Sequence, residues 1–212
     1  MTATTLWLIR HGETAWNAIG RMQGHTDIPL NETGLEQAGM LARQLVADHK
    51  KEHFSSLYVS DLGRARQTAQ PTSHALGMPM QLDPTLRERN YGIFEGLTRE
   101  EIAEKYPEGF AHIKARTPDY QIPDGESIEQ FYARTLEVLS RLAQQHPGEQ
   151  ILVVAHGGIL DCAYRAATDI GLIAARGHAL MNASINRVSY ADGQFKLLGW
   201  GDVAHLDPGI LE

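Results

Sequence analysis

Residues 150–168 read QILVVAHGGILDCAYRAAT. From Ile151 to Ala155 the run is unbroken and apolar, the pattern of a strand covered on both faces in a parallel sheet. GGILDCAYRAAT starts a helix directly behind it. A strand that feeds straight into a helix is the repeating unit of α/β architecture.

The pattern recurs outward from there. TTLWLI (Thr4 to Ile9) reads as a short buried strand, and SSLYVS (Ser55 to Ser60) as another, with a helix beginning in DLGRARQTAQPTSHAL. Thr33 and Glu36 have the spacing of a capping box, with Leu35, Ala38, Leu41, Ala42 and Leu45 following at helical intervals. Ser127 and Gln130 form a second such box, opening a long helix with Ile128, Phe131, Thr135, Val138 and Leu142 on one face. MPMQLDPTLRERNYGIFEG (78–96) holds a short strand and then irregular chain. Two short helical patterns follow, broken at Pro107, Pro118 and Pro123. INRVSYADGQFKLLGW (185–200) is a hairpin turning at Asp192-Gly193. The expectation is a three-layer α/β/α sandwich with a mostly parallel central sheet and one antiparallel edge strand. A small, lid-like helical insertion falls at about 92–126, all within a single domain over 1–212.

Composition narrows the function. The chain has 212 residues, 42 % hydrophobic and 21 % charged, with a formal net charge of −7. An acidic chain does not offer the broad basic face that nucleic acid or an anionic membrane requires. One cysteine, Cys162, permits neither a disulfide framework nor a cysteine-rich metal site. No signal-peptide pattern appears, and Ile151 to Ala155 falls far short of a membrane span of about 20 residues. The expectation is a cytoplasmic protein.

Ligands in such sheets gather outside the carboxyl ends of the strands. The first strand delivers Arg10, His11 and Gly12 there. The second delivers Ser60, then Arg64 and Arg66 on the next helix. The strand at 150–155 delivers His156, Gly157 and Gly158. Two His-Gly pairs and a set of arginines in one crevice repel each other unless an anion binds. Arginine forks match phosphate oxygens, and glycines with a helix N-terminus let backbone amides approach them. A neutral imidazole nitrogen can also attack phosphorus and hold it covalently. The departing oxygen then needs an acid, and Glu88 in LRERNYG stands directly after the short third strand. Neighbouring cations are expected to depress the pKa of His11, keeping its attacking nitrogen bare.

LIRHGETAWN resembles the RHG signature of the histidine phosphatase superfamily, also called the phosphoglycerate mutase family. The likeness continues, in order, through RMQGHTDIPLNETGLEQA, VSDLGRARQTA, LRERNYGIFEG, PDGES and VVAHGG. It implies that His11 accepts the phosphoryl group and that Arg10, Arg64 and His156 bind its oxygens. Glu88 would serve as general acid and then as base for water. By the same resemblance Asn17 and the backbone of Gly157 touch phosphate, Gln23 and Gly24 line the substrate side, and Tyr91 borders the leaving group. Arg66, Lys114 and Arg116 are outer candidates for a second anionic group, each set against a plain role as a solvated surface cation. No metal and no cofactor is implied.

The implied activity is a metal-independent phosphomonoesterase acting on a small phosphorylated metabolite through a phosphohistidine. Two alternatives stand beside it: a cofactor-dependent phosphoglycerate mutase, and an inactive phosphate-binding regulatory domain. Efficient mutases of the family carry a longer segment after the acid loop with a paired Arg-Arg. Residues 92–124 contain no such pair, and no basic tail follows GWGDVAHLDPGILE. Both departures favour a phosphatase, although its edge strands would also suit a homodimer. His49 and His53 stand four apart, but with Lys50, Lys51 and Glu52 between them they read as a charged helix end.

Overall fold

The computed structural model describes residues 2–210 of the chain. Among these are six strands: β1 (Thr4–Arg10), β2 (Phe54–Val59), β3 (Met80–Leu82), β4 (Gln150–Ala155), β5 (Ile185–Ala191) and β6 (Gln194–Asp202). Seven α-helices accompany them. They are α1 (Ala15–Ala18), α2 (Glu32–Glu52), α3 (Gly63–Leu76), α4 (Arg99–Lys105), α5 (Pro107–Ala115), α6 (Ile128–Gln145) and α7 (Gly157–Thr168).

The strands form one sheet in the order β3-β2-β4-β1-β5-β6. β1, β2, β3 and β4 pair in parallel, and β5 runs antiparallel to both β1 and β6. The antiparallel edge is therefore the β5–β6 hairpin, turned by Asp192 and Gly193 at φ of 50° and 80°. Both values suit a type I′ turn.

The strand pleat divides the core in two. Leu6, Leu8, Ile151 and Val153 face one way, against Phe131, Val138 and Leu142 of α6 and Leu160 of α7. Trp7, Ile9, Leu152 and Val154 face the other way, against Leu41 and Leu45 of α2 and Ala65 of α3. Each buried aliphatic side chain contributes about 1.5–3 kcal/mol. Ser127 caps α6 with the expected box, accepting from the Gln130 amide while Gln130 answers the Ser127 amide.

The N-terminus of α2 differs from the capping box expected at Thr33 and Glu36. Its N-cap is Asn31, whose Oδ1 accepts from Gly34 N at 2.8 Å. Asn31 Nδ2 donates to Glu13 Oε1 at 2.7 Å, so the cap is tied to the loop after β1. Leu35, expected in the core stripe, is 52 % exposed, whereas Ala38, Leu41, Ala42 and Leu45 are buried.

β1 and β4 are neighbours at the centre. The chain leaves β1 toward β2 through α2, and leaves β4 toward β5 through α7 on the opposite face. This reversal is a switch point, where α/β sheets open a crevice. Arg10 pairs with Ala155 in register, so His11 and His156 emerge side by side. Residues 92–126 add α4 and α5, gathered around their own buried Phe94, Ile102 and Ile122 beside that opening.

Candidate active site

His11 and His156 are both buried, with ring centroids 5.2 Å apart. His11 Nδ1 lies 2.7 Å from the carbonyl oxygen of Gly12. A carbonyl can only accept, so the proton sits on Nδ1 and Nε2 is left as the basic nitrogen. Burial above all, then Arg64 and Arg10, holds the His11 pKa well below the ordinary histidine value. The expected depression is present, but desolvation leads and the neighbouring cations follow. His156 is depressed in the same way, by burial and then by Arg64. Its Nε2 lies 2.8 Å from Ser60 Oγ.

Three buried nitrogens here have no hydrogen-bond partner: Arg10 Nε, Arg64 Nε and His156 Nδ1. Each unsatisfied group of this kind costs about 1–3 kcal/mol. The remaining bonds of the arginines fix their aim. Arg64, 1 % exposed, donates to the carbonyls of Thr26 at 2.9 Å and Gly24 at 2.8 Å. Arg10 donates to the carbonyl of Leu180. Burial, then Arg176 and Arg64, lowers Arg10 to about 10, against the pull of Glu88, so it stays charged at neutral pH.

Glu88 stands at the N-terminus of α7. Its Oε2 accepts from Gly158 N at 2.9 Å and its Oε1 from Arg89 N at 2.8 Å. Gly158 has to be glycine, because a Cβ there would lie 2.1 Å from Glu88 Oε1 and 2.8 Å from the Phe131 ring. The N-cap residue of α7, His156, makes no side-chain capping bond, so the positive end of the helix is answered by Glu88 and turned to the crevice.

Arg10, His11, Arg64, Glu88 and Gly158 border a cavity of about 500 Å³, while His156 is fully buried beside His11 and does not line it. Asn17, Gln23, Gly24, Tyr91 and Gly157 line the cavity. Arg116 lines its outer part. Two sequence candidates lie elsewhere. Arg66 is exposed and borders a separate cavity with Asp27, Gln67 and Met80. It follows Arg64 by two residues on α3, and such positions do not share a helix face. Lys114 is exposed, because its neighbour Ile113 is the α5 residue turned inward.

Other residues contribute as well. His25 Nε2 lies 2.9 Å from the carbonyl oxygen of Glu88 and so steadies the acid's backbone. Asn182 Nδ2 donates to the carbonyl of His11 at 2.9 Å. Arg21, Arg89, Arg99, Arg165 and Arg176 bring the arginines around this cavity to eight of the fourteen in the chain. His49, for its part, accepts from Phe54 N at 3.0 Å through Nδ1, joining the end of α2 to β2.

Comparison with known proteins finds relatives over nearly the whole chain. The chain is 40 % identical over 205 residues to the metal-independent phosphoserine phosphatase of Arabidopsis thaliana, covering 96 % of this chain and 83 % of the relative. It is 34 % identical over 212 residues to a probable phosphoglycerate mutase, GpmB, of Yersinia pestis, covering 98 % and 97 %. The solved structure of YhfR from Bacillus stearothermophilus superposes with a TM-score of 0.86 at 33 % identity, over 95 % of this chain and 98 % of that one. The family model for branch 1 of the histidine phosphatases matches residues 6–203, which takes in both strand-end histidines, both arginines and the Glu88 loop. That match spans nearly the whole chain, and the chain belongs to the histidine phosphatase superfamily.

Proposed function

We propose that the chain is a metal-independent phosphomonoesterase that hydrolyses a small phosphorylated metabolite, with O-phosphoserine as the leading substrate. The observation that carries this reading is the trio of unpartnered nitrogens on Arg10, Arg64 and His156 beside the bare Nε2 of His11. Two guanidinium donors and a second buried imidazole around one nucleophile fit the oxygens of a phosphoryl group in transfer. Phosphoserine is favoured by the 40 % identical plant relative.

In the first half-reaction His11 Nε2 attacks phosphorus in line, and the P–N bond forms as the bond to the ester oxygen breaks. Glu88 passes its proton to that oxygen, releasing the alcohol. Arg10, Arg64 and His156 carry the charge on the phosphoryl oxygens throughout. In the second half Glu88 takes a proton from water, whose oxygen displaces His11 from phosphorus. Inorganic phosphate leaves and His11 returns to its Nδ1–H form.

The test is phosphate release from O-phospho-L-serine and p-nitrophenyl phosphate, with acid-quench trapping of an acid-labile phosphoenzyme. Turnover with a phosphoenzyme that vanishes in His11→Ala is the expected result. Residual turnover by His11→Ala well above background would assign the nucleophile elsewhere. Interconversion of phosphoglycerates with 2,3-bisphosphoglycerate, faster than hydrolysis, would replace the phosphatase reading with that of a mutase.

A further inference from the structure

Beyond the phosphoryl end, the cavity has a second polar wall that the reaction above does not use. It is built on α7, where Asp161 and Arg165 follow Gly158 along the face turned to the cavity. Arg165 is 1 % exposed. Its Nε donates to Asp161 Oδ2 at 3.0 Å and its Nη1 to the carbonyl of Gly171 at 2.6 Å. Its Nη2 is buried with no partner. Arg116, the left-handed C-cap of α5 at φ 53°, reaches the same carboxylate at 3.4 Å and donates through Nε to the carbonyl of Leu172 at 2.9 Å. Arg176, between α7 and β5, borders the same end and forms no ion pair among the described residues. His178 Nε2 lies 3.0 Å from Asp161 Oδ1.

Two guanidiniums therefore hold one carboxylate and a third, Arg176, lines the same cavity, in a protein whose net charge is −7. Every cation on this wall is an arginine, the side chain that meets carboxylate or phosphate with two parallel bonds and stays charged. Long helical side chains lean toward the helix N-terminus, and the bond to Asp161 shows that Arg165 does so. Its guanidinium thus sits level with Asp161, three residues past Gly158 and about 5 Å farther along the axis. That is the scale of a phosphomonoester with an anionic group on the second carbon from its ester oxygen.

We propose that Arg165, Arg116 and Arg176 form a second anion subsite that selects phosphomonoesters bearing a further carboxylate or phosphate, with Asp161 as the positioning residue that holds Arg165 and Arg116. This rests on the phosphomonoesterase reading and adds its substrate class. It also explains why so large a share of the arginines lines one cavity, when two of them suffice for the transferred group.

The experiment compares paired esters on one enzyme preparation, so that the amount of folded protein cancels. O-phosphoserine against phosphoethanolamine isolates the carboxylate, and propane-1,3-diol bisphosphate against its monophosphate isolates a second phosphate. The wild type is expected to favour the doubly anionic member of at least one pair by about 100-fold in kcat/KM, as sites that bond a charged group do. Arg116→Gln and Arg176→Gln, both at the cavity rim, are each expected to cut that ratio about tenfold, and Arg165→Gln to abolish it wherever that variant folds. Asp161→Asn is expected to raise KM for the doubly anionic ester more than it lowers kcat, with partial rescue in Asp161→Glu. Equal use of both members by the wild type, or a ratio unmoved in Arg116→Gln and Arg176→Gln, overturns the subsite. Cleavage of p-nitrophenyl phosphate with none of the paired esters also overturns it while leaving the phosphatase reading intact. Failure to cleave any ester overturns the phosphatase reading itself.

Discussion

The imidazoles of His11 and His156 stand 5.2 Å apart at an interplanar angle of 59°, buried together at the ends of adjacent parallel strands. Two imidazolium ions at that separation would repel each other in a poorly solvated site, and both rings are held neutral. The native-state pKa of each is depressed, so the unfolded chain binds more protons below about pH 6.5. Stability is therefore expected to fall as pH drops through the ordinary histidine range, by up to about 1.4 kcal/mol per pH unit for each ring. Denaturant titrations from pH 7.5 to 5.5 read that slope. Nitrogen-15 NMR at pH 6 is expected to show neutral His11 with its proton on Nδ1. An imidazolium signal for His11 at that pH would contradict the desolvated site.

The unpartnered nitrogens of Arg10, Arg64 and His156 predict a response to simple oxyanions. Phosphate or vanadate binding only to the native state stabilises it by about 2.7 kcal/mol at one hundred times Kd. For a chain of this length that corresponds to a rise in Tm of roughly 5–10 °C. Chloride at matched ionic strength is expected to give far less. Arg64→Gln is expected to remove most of the vanadate shift in a thermal melt.

Gly158 separates the role of Glu88 from its mere presence. Adding a Cβ places a methyl 2.1 Å from Glu88 Oε1 and against Phe131, so the carboxylate has to rotate away. Glu88→Gln and Gly158→Ala are thus expected to share one signature. Hydrolysis of alkyl phosphates falls by about 100-fold or more, within the range that general acid catalysis contributes. Hydrolysis of p-nitrophenyl phosphate, whose leaving group hardly needs a proton, falls much less. Equal losses on both esters would assign Glu88 to binding rather than to proton transfer.

Much of this arrangement was legible in the residues. The apolar run at 151–155, the strand–helix alternation and the Asp192-Gly193 turn gave the sheet and its hairpin, because those patterns act locally. Arg10, His11 and His156 stood out because they sit at strand ends, Arg64 because it opens the helix after β2, and Glu88 because its loop follows β3 after one short 3-10 turn. Arg66 misled because residue type says nothing about azimuth, and two helical steps from Arg64 place it on another face. Asn182 was silent because it acts through a backbone carbonyl, where many residue types would serve. Arg165 and Asp161 look like an ordinary i, i+4 surface pair until the packing of α7 turns them inward. Asn31 prevailed over the Thr33–Glu36 box because its second amide bond reaches the loop that carries Glu13, a long-range contact no local motif encodes.

That same junction sets two effects against each other at Gly34. Replacing a helical glycine with alanine ordinarily stabilises by about 0.5–1 kcal/mol. At Gly34 the new Cβ would lie 2.1 Å from Glu13 O and 2.8 Å from Glu13 N, both backbone atoms that cannot swing aside. Gly12 presses on the same spot, since a Cβ there would lie 2.7 Å from Gly34 O. Steric overlap wins at Gly34. Gly34→Ala is expected to lower Tm by several degrees and to cut kcat, because relief of the clash displaces the loop that carries His11. Gly39 lies on the same helix and supplies the contrast, because a Cβ there meets only Arg43 Nη1 at 4.0 Å. Gly39→Ala is expected to raise Tm by about 1–3 °C with kcat unchanged. Parallel melts and rate assays of the two variants decide it: an equal gain in Tm for both would mean that α2 does not seat against the loop after β1 as described.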